Sequence, residues 1–454
     1  MRLGAVNRNV IQMRYFEATE AFLADEPIQT IEPESRDVFL SHFKGDKLQK
    51  MLDAERSIND GNARLPLHDC VKPPECHMKG FTKAEKSYRT EYEYYHLTNK
   101  PTMKPRFICC PSPEFLFTIG PYTHAQTKWL ASAYQPRSHL YYAGCSTPAE
   151  LNEWLNFTHH ELGGAYISIA DDISAIDSCH TEHTMRLHSK VRRRQFPRLP
   201  HNIEILYQAE HILKIRLGKF SMRVEFVNGS GVSDTSYKNS LLCLFIRLLA
   251  LTNAVRSLDE LDFTEFLALT AAVRSKIYTT ASGDDGLTRT PRNLFGTDLT
   301  TVDAQNRYSA YWGGHGFGVK VKIYSEVEWR MATYLANRPV YVGSDRYEWM
   351  PEPARRLRGL FWQIDNSMHP LVWGRSVATG LKAIAAGHPV LGPIADWYLN
   401  NTYGPVVPVQ IFGNPYNPFQ GHQSTCTEIH RRAIDEFLVD YGLLERDYTI
   451  FLSA

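Results

Sequence analysis

Three short stretches of this chain carry side chains suited to moving phosphoryl groups. They are DISAID at residues 172–177, SGVSDTSYKNS at 230–240 and SGDD at 282–285. Joining a nucleotide to a 3′-hydroxyl builds charge on the attacking, bridging and leaving oxygens. Two cations about 4 Å apart stabilise that charge. Mg²⁺ prefers carboxylate oxygens and water, so such a site needs two or three aspartates arriving from different strands. Asp172 and Asp284 are the first candidates as ligands of two Mg²⁺ or Mn²⁺ ions, with Asp285 supporting them. Between them, Thr235 and Asn239 stand four apart and share a helix face. An amide and a hydroxyl there can hold Asp177 and, with it, bind a ribose 2′-OH, the group that separates RNA from DNA. Each stretch alone also has a plainer reading: two acids in a surface loop, a capped helix start, and a type I′ turn.

These side chains need a scaffold, and the flanking sequence supplies signals for one. Residues 166–170 are a short apolar run ending in acids, which fits a buried strand with carboxylates at its tip. The KIYTT run entering SGDD predicts a strand, a tight turn and a second strand, projecting acids from the bend. From Tyr237 onward apolar residues fall at helical spacing. Residues 241–251 are too short to span a bilayer and are interrupted by Arg247, so they read as a buried helix. Further helices are expected at residues 10–23, 47–57, 259–275, 352–364, 371–386 and 427–439, with a Gly/Pro-rich interruption at 404–421. Helices alternating with short strands make the fold class α/β or α+β, with the acids at one end of a sheet.

At 454 residues the chain exceeds one typical domain and suggests two or three subdomains. Its net charge is only +1, so no global positive field draws in nucleic acid. A nucleic-acid channel must then come from locally clustered Lys and Arg. The candidates are KPRF at residues 104–107, KVRRRQFPR at 190–198, and Arg355, Arg356 and Arg358. Eight cysteines, without the density or spacing of a disulfide scaffold, suit a reducing compartment. His68, Cys70, Cys76 and His77 cluster tightly, but their spacing fits no familiar zinc pattern and reads as an irregular loop. The N-terminus is polar and mixed in charge, unlike a signal peptide.

The ordered set D-x4-D, SG-x3-T-x3-NS and GDD resembles motifs A, B and C of viral RNA-dependent RNA polymerases. Residues 104–115 are similar to the basic motif F, and residues 316–329 to motif D and the start of motif E. The phrasing of F, D and E is closest to the tombusvirus-like and noda-like polymerases of positive-strand RNA viruses. The resemblance covers residues 100–339.

It implies a right-hand fold. Fingers would span residues 1–160, a palm 161–338 with a fingers insertion at 186–222, and a helical thumb 339–454. It also implies roles. Asp172, Asp284 and Asp285 hold two Mg²⁺ or Mn²⁺ ions, and Asp177, Ser230, Gly231, Thr235 and Asn239 select the ribose. Lys104 and Arg106 neutralise the triphosphate, for which Arg offers a bidentate fork. Lys320, or Lys322 two residues on, protonates the departing pyrophosphate. Asp171, next to Asp172, leaves open a ligand shifted by one, although alternate strand residues face opposite sides.

The implied partners are an RNA template, the nascent duplex and NTPs, with other viral replicase or membrane-anchoring proteins. The implied location is the host cytoplasm, at replication membranes reached through a partner, or the virion. The chain opens on Met and shows no transmembrane segment of its own. Tyr403 and Tyr416 lie in a candidate priming element. The competing functions are reverse transcription, and RNA binding by a non-catalytic protein of polymerase-like fold. A reverse transcriptase excludes the 2′-OH with a bulky residue near the first acidic motif, where this chain has Asp177.

Overall fold

The longest apolar run of the chain becomes its most buried element. In the computed structural model, the helix Thr235–Val255 is buried without a break from Tyr237 to Val255. The structure describes residues 13–63, 65, 74–82, 107–229, 235–353, 356–357, 368–407, 424–426 and 428–453. By length and composition this helix could cross a bilayer, and among the described residues it alone passes that test. It is instead the axis of the largest apolar core, packed beneath a sheet and against the helices Val302–Gly314 and Phe263–Arg274. Each fully buried leucine on it contributes roughly 2 kcal/mol. The helix Phe263–Arg274 starts at a reciprocal capping box, Asp262 with Glu265, which fixes where the turn of chain ends and the helix begins.

The described strands are, in chain order, β1 (Cys76–Thr82), β2 (Phe107–Pro111), β3 (Leu140–Tyr142), β4 (Ile167–Ile173), β5 (Ile212–Leu217), β6 (Phe220–Glu225), β7 (Tyr278–Ser282), β8 (Asp285–Thr290), β9 (Asn293–Leu294), β10 (Thr297–Asp298), β11 (Val319–Tyr324), β12 (Asn337–Gly343) and β13 (Arg346–Pro351). They form a five-stranded sheet in the order β11-β4-β8-β7-β3, a four-stranded sheet β2-β1-β5-β6, and two-stranded pairs β9-β10 and β12-β13. The molecule is thus mixed α/β, with helices around several small sheets. In the five-stranded sheet every neighbouring pair is antiparallel except β3 with β7. The expected strand before the first acids is β4, and the expected hairpin around the paired aspartates is β7–β8.

Two expectations change. Residues beyond 338 do not turn helical at once. The hairpin β12–β13 comes first, straddling the expected palm–thumb boundary, and the helices Pro370–Ala385, Leu391–Asn401 and Arg431–Tyr441 follow. Its β-branched, aromatic and Pro-bearing sequence pairs across the turn and packs Trp349 and Tyr347 into a second aromatic core. The basic run at 190–198 keeps Lys190, Arg193 and Arg198 exposed, but most of its charges are engaged within the chain. Lys190 pairs with Glu20 and Arg193 with Glu204, Arg194 donates to the carbonyls of Leu23 and Glu26, and the Arg192 guanidinium lies 3.3 Å from the Tyr207 ring centre.

The N-terminal helix Met13–Asp25 is tied to this core by Thr19, whose hydroxyl meets Tyr311 at 2.9 Å and His315 at 3.0 Å. His315 and His388 are buried, and burial pulls each imidazole down to about 3 from its ordinary 6.5. Both are neutral in the fold but take up a proton once unfolded below 6.5. Their contribution is therefore complete above that value and is lost as pH falls through it toward 3. Each removes about 1.4 kcal/mol per pH unit over that range. Urea unfolding at pH 7 and pH 5 should show this loss, and His315→Gln should make the dependence shallower. An equal dependence in that variant would count against the assignment.

Candidate active site

β4 carries Asp171 and Asp172 on opposite faces, and the two meet opposite fates. Asp171 is 5% exposed and points into the core beneath the sheet. There Arg247, fully buried in the middle of Thr235–Val255, grips it through Nε at 2.8 Å to Oδ2 and Nη2 at 2.5 Å to Oδ1. Tyr308 donates its hydroxyl to the same carboxylate at 2.5 Å. Burial alone would lower the guanidinium's proton affinity, but the Asp171 carboxylate outweighs it and raises it. This buried Asp171–Arg247–Tyr308 brace uses Asp171 fully and leaves Asp172, which is exposed, as the outward acid of the pair.

Antiparallel pairing then brings the acids to one end of the sheet. Asp171 lies opposite Gly286 at the end of the β4–β8 ladder, so Asp172 and Asp285 are the next residues beyond its last pair. Directly opposed residues on neighbouring strands have Cα atoms about 5 Å apart. Ser282 pairs with Asp285, leaving Gly283 and Asp284 as a two-residue turn. Within that turn φ is positive at Gly283, +66°, and not at Asp284. That is the type II′ pattern and not type I′, with glycine at its first central position. Asp284 and Asp285 are both exposed, and neither Asp172 nor Asp284 forms an ion pair with any described residue. Three exposed carboxylates thus stand at one end of the sheet, hard oxygen donors of the kind Mg²⁺ or Mn²⁺ takes, although their oxygens do not all lie within 4.8 Å of one another.

The helix beneath sets this edge from behind. Ser240 Oγ accepts a hydrogen bond from the Gly283 backbone amide at 2.8 Å, clamping the turn to the helix. Gly286 allows Arg247 to pass: a Cβ there would stand 1.8 Å from Nη2. On the outer strand β11, Lys320 is paired with Asp172 and Lys322 with Ala170. Both lysines are exposed on one face, but the Lys322 ammonium sits 4.5 Å from the Tyr324 ring centre, while Lys320 stands beside the acids.

Asn239 and Asp177 meet as expected. The Asn239 amide donates through Nδ2 to Asp177 Oδ1 at 2.8 Å. Its Oδ1 meets two partners: Asn228 Nδ2 donates to it at 3.2 Å, and His180 Nε2 lies at 2.9 Å. Donors at Oδ1 fix which way the amide points, so Nδ2 must face Asp177. Asn228 and His180 had no signal in the sequence, since their role depends only on contacts across 11 and 59 residues. Thr235 turns away from this group and donates to the Gly229 carbonyl at 2.7 Å, so its hydroxyl closes the loop before the helix. Lys238, in the same string, forms a buried ion pair with Glu210 at 2.5 Å.

Ser230, Gly231, Lys104, Arg106, His68, Cys70, Arg355, Arg358 and Tyr416 lie outside the described residues. Of the cysteine–histidine cluster, Cys76 and His77 are consecutive on β1 and so face opposite sides. Burial also pushes the Cys76 thiol up, away from the thiolate a metal needs. Glu34, His42 and His124 do bring ligand atoms within 4.8 Å of one another. Lys128 already holds Glu34 at 2.5 Å, and two imidazoles are poor partners for Mg²⁺. Comparison with protein-family models and with curated proteins finds no match to this chain.

Proposed function

We propose that this protein is an RNA-directed RNA polymerase of a positive-strand RNA virus, built as a right hand. Fingers span residues 1–160, a palm 161–338 with a fingers insertion at 186–222, and a thumb 339–454. The observation that carries this reading is that β4 and the β7–β8 hairpin carry Asp172, Asp284 and Asp285 to one end of the sheet while Asn239 holds Asp177. Asp172 and Asp284, assisted by Asp285, would hold two Mg²⁺ or Mn²⁺ ions, which stabilise charge on the attacking and leaving oxygens of an in-line displacement. Lys320, next to Asp172 in register, would donate a proton to the leaving group. The Asn239–Asp177 pair offers a polar contact to a ribose 2′-OH, which favours RNA synthesis over reverse transcription. Host cytoplasm, with recruitment to replication membranes by a partner, is the setting this reading implies.

Purified protein given an RNA template, NTPs and Mg²⁺ or Mn²⁺ should incorporate complementary nucleotides in a template-dependent way. Absence of incorporation on every primed and unprimed template would refute the reading, and a strong preference for dNTPs would redirect it to reverse transcription. Asn239→Ala should reduce the NTP-over-dNTP preference roughly tenfold to a hundredfold, the worth of one lost polar contact to the sugar. His180→Leu, which frees the amide to rotate, should move the same ratio in the same direction by less. Steady-state incorporation of matched NTP and dNTP measures both. An unchanged ratio in Asn239→Ala would remove the sugar from its role.

A further inference from the structure

The four-stranded sheet has one face in the core and one in water, and the outward face is basic. On β1, Cys76 and Met78 point inward, while His77, Lys79 and Phe81 point out. On β5, Leu213 is buried in the core and Ile215 packs against it, while Lys214 and Arg216 are exposed. The register places Lys79 beside Arg216 and His77 beside Lys214 across the parallel pair. On the other side, Lys214 lies across from Arg223.

Neighbouring strands lie about 4.8 Å apart, and like charges opposed at that distance destabilise a sheet. Carboxylates do neutralise this face at its rim, where Arg223 pairs with Glu75 and Glu225. Lys79, Lys214 and Arg216 have no such partner among the described residues. The chain's net charge is only +1, so this cluster is a local concentration and not a general excess.

We propose that this sheet face binds single-stranded RNA, with Lys79, Lys214 and Arg216 on its phosphates and Phe81 stacked on a base. Charge complementarity argues for a polyanion. Phe81, 44% exposed and two residues from Lys79 on the same face, argues for unpaired bases, because a duplex hides the faces an aromatic ring would stack on. That the strand is RNA rests on the polymerase reading above; the charges and the ring stand without it. The surface is separate from the acidic edge and lies on a different sheet.

The test is fluorescence anisotropy of a labelled, unstructured oligouridylate, without NTPs, over a range of salt concentrations. The triple variant Lys79→Ala, Lys214→Ala, Arg216→Ala should lower the slope of log affinity against log salt by about 2, given about 0.7 per phosphate contact. Removing Lys44, Lys47 and Lys50, three exposed lysines elsewhere, should leave the slope unchanged. Phe81→Ala should weaken binding roughly tenfold with the slope intact. The triple variant's thermal midpoint should hold or rise, since repulsion has been removed; a lower midpoint would overturn the repulsion argument. An unchanged slope would overturn the site, and an equal loss of binding to duplex RNA would overturn the single-strand assignment. A protein that polymerises with an unaltered slope in the triple variant loses only this inference. One that shows the expected slopes yet fails to polymerise loses only the polymerase reading.

Discussion

Asp284→Ala combined with Asp285→Ala should cut template-directed incorporation by about a thousandfold or more while leaving the fold intact. Both side chains are exposed at a hairpin turn, where substitutions usually change stability by about 0.5 kcal/mol or less. The loss therefore belongs to chemistry. Metal ions supply several kcal/mol of charge stabilisation in the transition state, and each 1.36 kcal/mol is about tenfold in rate. A second readout separates this from a general defect: calorimetric titration with Mn²⁺ should lose its binding heat in the double variant. Retention of full activity, with Mn²⁺ still bound, would sink the proposed mechanism. Asp172→Ala should behave alike, since Asp172 lies just past the last β4–β8 pair, at the end of the sheet that carries Asp284 and Asp285. Asp171→Ala should instead unfold the protein, because it leaves the Arg247 charge without its carboxylate in the core.

Gly286→Ala should be the most damaging small substitution in the molecule. The added methyl would lie 1.8 Å from Arg247 Nη2 and 2.1 Å from Cζ. That guanidinium cannot swing aside cheaply, because Asp171, the Cys243 carbonyl and the Thr280 carbonyl hold it from several directions. Displacing it breaks a buried ion pair and strands the Asp171 charge, which costs about 3–5 kcal/mol. A domain's whole stability is typically about 5–15 kcal/mol. Gly283→Ala, three residues away, provides the contrast. A Cβ there meets nothing within 4 Å, so only the positive φ opposes it, at about 1–2 kcal/mol. Urea unfolding of the two variants tests the difference, and equal midpoints would refute the brace as the cause.

The parts of the site readable from sequence are those with local signatures. An apolar run closing on acids announces β4, and glycine before paired aspartates announces the β7–β8 bend. The order of the motifs announced the contact of Asn239 with Asp177, 62 residues apart. Arg247 was legible only as an interruption in an apolar run, because its meaning depends on Asp171, 76 residues earlier. Tyr308 completes the brace from 137 residues beyond Asp171. Thr235 fitted the sugar site by helical spacing, yet its hydroxyl found a nearer acceptor in the Gly229 carbonyl, as Ser and Thr at helix starts commonly do. The run at 190–198 promised a basic surface, and Lys190, Arg193 and Arg198 are exposed; the stacking of Arg192 on Tyr207 and the pairing with Glu20 and Glu204 could not be foreseen from charge alone. The basic face of the β1–β5 sheet carries no local sequence signature for the opposite reason. Its lysines and arginines are scattered in sequence and become neighbours only when a parallel strand pair aligns them.

The position of β4 also has a consequence for how the chain matures. Its partners β8 and β11 lie far downstream, so during synthesis Ile167–Ile173 emerges long before either neighbour exists. An orphaned strand of alternating isoleucines is the kind of segment that seeds aggregation. Asp171 and Asp172 place two negative charges within it, the gatekeeper chemistry that suppresses such self-association. The same two acids, one a buried anchor and one an exposed edge carboxylate in the fold, thus give the unpartnered strand charge that opposes self-association until its own strands arrive.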